Sequence, residues 1–77
     1  MATFTTQYRI RYIVPTTNDN KEIRSIICDN RYEVQININK IIAMKNKGYS
    51  FIGLDDRIIS SYTLIDDNYG WNKIFNF

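Results

Sequence analysis

Arg9 and Arg11, with Arg24 on what reads as the neighbouring strand, form the pattern in this chain most suited to chemistry. Two guanidiniums spaced by two residues stand on one face of a strand. Arginine and tyrosine together on a sheet face make up the single-strand nucleic-acid platform, where aromatic rings stack bases and arginine holds phosphates. Tyr8 and Tyr12, however, alternate with Arg9 and Arg11, so they take the opposite face and read as core residues. The arginine face is then expected to be solvated or to meet a partner.

The other chemical candidates are thinner. The chain has no histidine, which removes the commonest general base, the usual Ser–His and Cys–His pairs and the commonest zinc ligand. Cys28, the only cysteine, has no base to activate it and closes an Ile-rich segment, so it reads as a buried structural thiol. Asp55-Asp56 and Asp66-Asp67 read as polar turns at the two ends of a strand, or else as an acidic lobe for a basic partner. A strand of about nine residues at roughly 3.3 Å per residue holds the two pairs on the order of 30 Å apart. They cannot then share a metal or a proton. Asn18-Asp19-Asn20 lacks the glycine and the later glutamate of a calcium loop, and Gly48 and Gly53 fit no phosphate-binding spacing. The expectation is a protein without catalytic residues, cofactor or metal, and not an enzyme.

The aromatic residues point to contact rather than catalysis. Tyr69, Trp71, Phe75 and Phe77 share a strand parity at the end of the sequence. Tyrosine and tryptophan are the side chains that anchor interfaces. Arg9, Arg11, Arg24, Tyr69, Trp71 and Phe75 are therefore the candidate partner-binding residues.

These residues need strands to position them. Phe4–Val14 alternates an apolar with a polar face, and Pro15 ends it, because proline brings no N–H to a ladder. After the polar turn 16–20, residues 22–28 read as a second strand, and Asp29-Asn30 suits a tight hairpin turn. Tyr32, Val34 and Ile36 alternate with Arg31, Glu33 and Gln35 as a short third strand. The period then changes: Ile38, Ile41, Ile42 and Lys45 recur at helical spacing, predicting a helix over 38–47 with Asn37 as its N-cap and Gly48 at its end. Residues 49–54, 57–65 and 69–77 read as three further strands. Gly53 interrupts the first of these, as a bulge or a close backbone approach would require. The expected fold is an α+β domain spanning 1–77, a small antiparallel sheet of about five to six strands with one short helix packed on it, in the order β-β-β-α-β-β-β.

Composition narrows the class. With 77 residues and 44% apolar content the chain is globular rather than disordered, and its core must be small. Net charge is only +2, too little to imply nucleic acid by itself. The charge is uneven along the chain: residues 1–52 hold eight Lys/Arg against four Asp/Glu, and residues 53–77 hold two against four. One unpaired cysteine, no secretion-signal pattern at the start and no membrane-length apolar run predict a cytoplasmic protein. Isoleucine and asparagine make up 23 of the 77 residues, a bias that AT-rich codons produce, pointing to a low-GC bacterium or a phage or mobile element within one. The functional expectation is a binding protein acting by protein–protein contact in the cytoplasm, and specifically a phage or mobile-element inhibitor of a host defence complex, anti-CRISPR-like in size and in its lack of catalytic motifs. The alternative is a small nucleic-acid-binding module on the basic strand face. A homodimer through strands 57–65 and 69–77, burying Trp71 and Phe75, is a further expectation, since a small core gains area by association.

Overall fold

The structure is a computed structural model; it describes residues 4–16, 20–60 and 70–76. Its elements are β1 (Phe4–Pro15), β2 (Lys21–Cys28), α1 (Arg31–Ala43), a 3-10 turn (Lys45–Lys47), β3 (Ser50–Ser60) and β4 (Asn72–Asn76). The four strands make one antiparallel sheet in the order β2-β1-β3-β4, with α1 packed against one face. The α+β class with a single helix on an antiparallel sheet is therefore as the sequence indicates. The number of strands and their order along the chain are not.

β1 is one of the two interior strands and carries the predicted alternation. Ile10 is fully buried and Val14 nearly so, while Tyr8 and Tyr12 pack against the core on the helix side. Arg9 and Arg11 take the other face, because neighbours in a strand point to opposite sides. The β1–β2 hairpin is closed by Thr16 N–H donating to the Asn20 carbonyl at 3.1 Å.

Residues 31–36 are helix, not a third strand. Asn30 is the N-cap: its backbone is extended, and its Oδ1 accepts from the Glu33 N–H at 2.8 Å. Glu33 Oε2 in turn accepts from the Asp29 N–H at 3.1 Å. One orphan donor of the first turn, the Glu33 N–H, and the Asp29 N–H just ahead of the cap are thereby satisfied by side chains, a variant of the capping box. Asp29-Asn30 thus starts a helix instead of turning a hairpin. The predicted cap, Asn37, lies two turns inside, where its Nδ2 donates to the Glu33 carbonyl at 2.8 Å. The stripe that faces the sheet is Val34, Ile38 and Ile41; Ile42 points outward and is 58% exposed. Gly48, at φ 96°, takes the left-handed conformation predicted for the residue that ends the helical segment.

β3 is one strand where the sequence suggested two. Asp55 and Asp56 are mid-strand residues paired with Arg9 and Tyr8, not a turn. Of the segment read as a strand over 57–65, residues 61–65 lie outside the described residues, as do Asp66-Asp67, Tyr69 and Phe77. β3 pairs with β1 along one side and, through Gly53–Asp56, with β4 on the other. Among the described residues the edge strands of the sheet are β2 and β4.

β4 contains a correction that parity alone conceals. Phe75 pairs with Leu54 and Lys73 with Asp55, so Ile74 is an extra residue at a β-bulge. The bulge resets the alternation. Phe75 lies on the helix side, stacked on Phe51 at 5.8 Å, while Trp71 lies on the opposite side. Trp71 and Phe75 therefore lie on opposite faces of the sheet, although their sequence spacing gives them one parity.

Candidate functional site

The sheet face opposite α1, helix-free among the described residues, holds a layer of charged and aromatic side chains built around Asp55. This carboxylate is fully buried. Its Oδ2 accepts from Arg9 Nε at 2.8 Å and from Arg11 Nε at 2.9 Å, and its Oδ1 accepts from Arg11 Nη2 at 3.2 Å. The Arg11 contact is two-pronged, the geometry in which a guanidinium fork holds a carboxylate in a fixed orientation. Strand register explains the convergence. Arg9 pairs directly with Asp55, and Arg11 with Gly53, so three residues of one parity on β1 and β3 meet on one face.

Gly53 makes room for that layer. A Cβ at this position would stand 2.2 Å from Arg11 Nη2 and 3.1 Å from the Phe75 carbonyl oxygen. The guanidinium crosses the strand where there is no side chain, which is the close approach that an isolated strand glycine signals. Gly53→Ala is expected to push Arg11 off Asp55 and destabilise the fold by about 1–3 kcal/mol in urea titration. Combined with Arg11→Ala the two losses should be strongly sub-additive, since each removes the same contact. Simple addition of the two would show that Arg11 does not depend on the glycine.

Arg57 extends the layer. Its Nε and Nη2 donate to Gln7 Oε1 at 3.1 and 2.9 Å. The Trp71 ring lies against both Arg57 and Arg9, with their guanidinium carbons 4.2 and 4.8 Å from its centroid. Such cation–π contacts gain strength where water is partly excluded. Here Arg57 is 5% exposed, and the Arg9 and Arg11 side chains 19%. Among the described residues every buried side-chain nitrogen or oxygen has a hydrogen-bond partner. The cluster is therefore satisfied and rigid before any ligand arrives. By register the face carries Arg9, Arg11, Lys21, Arg57 and Lys73 against Asp55 alone among the described residues.

Of the candidate contact residues, Arg9, Arg11 and Trp71 come together here. Arg24 does not join them: it pairs with Tyr12, on the helix side of β2, and makes an exposed ion pair with Glu22 at 3.2 Å. Phe75 is on the helix side as well, and Tyr69 lies outside the described residues. Sequence reasoning missed Asp55, Arg57 and Gln7. Their one legible signal was Gly53, an interruption in an otherwise regular strand pattern.

Among the described residues little else offers chemistry. Cys28 is buried at the end of β2, and burial, helped by the Glu33 carboxylate, pushes its thiol up from the ordinary range. A raised thiol stays protonated and unreactive. Among the described residues no three His, Cys, Asp or Glu side chains gather as a metal site, and no helix is long and apolar enough to cross a membrane. A cleft of about 320 Å³ opens beside α1, over Leu54 and Ile74, with Arg31 at its rim donating to Tyr8 Oη at 3.3 Å. No protein-family model matches the chain, and no curated protein or solved structure matches it.

Proposed function

We propose that this chain is a non-enzymatic binding protein whose helix-free sheet face contacts a protein partner. The observation that carries this reading is the Trp71–Arg9–Arg57 stack pinned from beneath by Asp55. Tryptophan and arginine are the residue types that dominate interface energetics. Held in place beforehand, they lose little conformational freedom on binding. Ile23 and Ile27, on β2 and on the same face, are 65% and 39% exposed and supply an apolar flank.

The sign of the face says what kind of surface it suits. Cations predominate, so the complementary partner is acidic. The idea of an acidic lobe meeting a basic surface loses Asp55, which is enclosed by arginines of the same chain. Within the class, the AT-rich codon signature and the small size favour a cytoplasmic phage or mobile-element protein that inhibits a host defence complex, anti-CRISPR-like in that sense. It would act by covering an acidic region of an effector, not by imitating nucleic acid.

Capture from lysates of low-GC bacteria tests the reading. The wild-type chain is expected to retain a partner that Trp71→Ala and Lys73→Glu both lose while keeping a cooperative melt. Retention of the same partner by both variants, or no partner from several hosts, would count against it. The excess of cations also favours a second reading, binding of nucleic acid through Arg9 and Arg11. Phosphate contacts would then give strong, salt-sensitive binding to labelled oligonucleotides at about 50 mM salt, and its absence there removes this alternative.

A further inference from the structure

β2 is an edge strand of the sheet among the described residues. Thr16 N–H donates to the Asn20 carbonyl, which makes 16 and 20 a hydrogen-bonded pair of the hairpin. Hydrogen-bonded and non-hydrogen-bonded pairs alternate along an antiparallel ladder. With Pro15 opposite Lys21 and Val14 opposite Glu22, residues 22, 24, 26 and 28 turn their backbone groups toward β1. Lys21, Ile23, Ser25 and Ile27 then turn theirs away from the sheet. Pro15, which has no N–H, falls at a position where β2 asks for none. The outward groups form a template for another strand.

The side chains along this edge are self-complementary. Ile23 is 65% exposed on the helix-free face. On either side of it, on the other face, stand Glu22 and Arg24, whose side chains are 53% and 58% exposed. A guarded edge repeats one sign of charge so that copies repel. This one places opposite signs at equal distances from Ile23. A two-fold axis turns that arrangement into attraction on both sides.

We propose that two copies of the chain pair antiparallel through β2, with the two-fold axis at Ile23. Ile23 exchanges both backbone hydrogen bonds with its own copy, and Lys21 pairs with Ser25 on each side. Glu22 stands opposite Arg24 of the second copy, and Arg24 opposite its Glu22, at non-hydrogen-bonded positions where side chains approach most closely. Two four-stranded sheets become one of eight strands. A register centred on Ser25 sets Arg24 against Ile26 and leaves the ionic pairs uncompleted across the axis. The contact is smaller than the roughly 1,200 Å² of a standard stable interface, so the association is weak, on the order of 10–100 μM. It uses neither Asp55 nor Trp71, but it shares Ile23 with the apolar flank of the helix-free face, so Trp71→Ala, which spares the β2 edge, separates the two: it should leave the dimer mass unchanged.

Sedimentation equilibrium of the purified chain across that concentration range tests the dimer. The mass is expected to rise from that of the 9.2 kDa chain toward twice that value. Glu22→Arg should weaken association about tenfold, and Glu22→Arg combined with Arg24→Glu should restore it. Ile23→Lys is a second disrupting variant, at an exposed position where folding is not at stake. Mild oxidation of Ile23→Cys should cross-link two copies, since the paired Cα atoms lie within disulfide reach, whereas Ser25→Cys should not cross-link. A wild-type mass that stays monomeric throughout, a charge-swapped double variant that fails to recover, or cross-linking at Ser25→Cys in place of Ile23→Cys would each overturn the proposal.

Discussion

Asp55→Ala is expected to lower the thermal midpoint by roughly 12 °C or more, the larger of the two largest effects foreseen for this fold. Removing one partner of a buried charge pair costs about 3–5 kcal/mol, because the remaining charge is left without compensation. In a domain of this size each kcal/mol moves the midpoint by about 4–8 °C. Asp55 is fully buried and serves two guanidiniums at once, and at 19% exposure neither arginine can turn wholly into water. Asp55→Asn keeps the shape and one acceptor but not the charge, and should fall between wild type and Asp55→Ala. Replacing all three, as Arg9→Met, Arg11→Met and Asp55→Leu, should recover much of the loss, since apolar groups of similar volume need no partners. Circular dichroism on heating reads all of these. An Asp55→Ala chain melting within about 3 °C of wild type would show that the carboxylate is not structurally required.

The same residue shows where the sequence stops being legible. Adjacent aspartates between two apolar runs look like a turn, because carboxylates rarely sit inside strands unless something neutralises them. What neutralises Asp55 is 44 and 46 positions away, and only the β1–β3 register brings it there. Local pattern contains no register. By contrast, the separation of Tyr8 and Tyr12 from Arg9 and Arg11 was readable, because it depends only on neighbours within one strand. The bulge at Ile74 defeats the same rule at β4. One inserted residue sends Phe75 to the opposite face from Trp71, although their spacing in sequence places them together. In residues 31–36 two local signals conflict. The alternation of Tyr32, Val34 and Ile36 suggests a strand, while Asn30 and Glu33 make a helix start. The cap prevails because it satisfies donors that a strand there would have to pair elsewhere, and because the helical turn buries Val34 beside Ile38 and Ile41.

Ile41→Ala and Ile42→Ala, adjacent in sequence and identical in chemistry, are expected to differ sharply. Both residues fall in the helical run that the sequence predicts over 38–47. Ile41 is 2% exposed and belongs to the core cluster with Ile10, Cys28 and Val34. Truncating it removes a buried branched side chain and leaves a cavity, at about 2–5 kcal/mol. The core has few other members, and a domain of this class is stable by only about 5–15 kcal/mol, so the loss is a large share of the total. Ile42 points into solvent at 58% exposure. Its truncation should change stability by about 0.5 kcal/mol or less, with alanine's better helix propensity tending to offset the lost contact. Urea titration of the two variants, with unchanged slopes, measures the difference directly. Comparable losses at both positions would mean that α1 is rotated about its axis from the placement described, and with it the assignment of Val34 and Ile38 to the core.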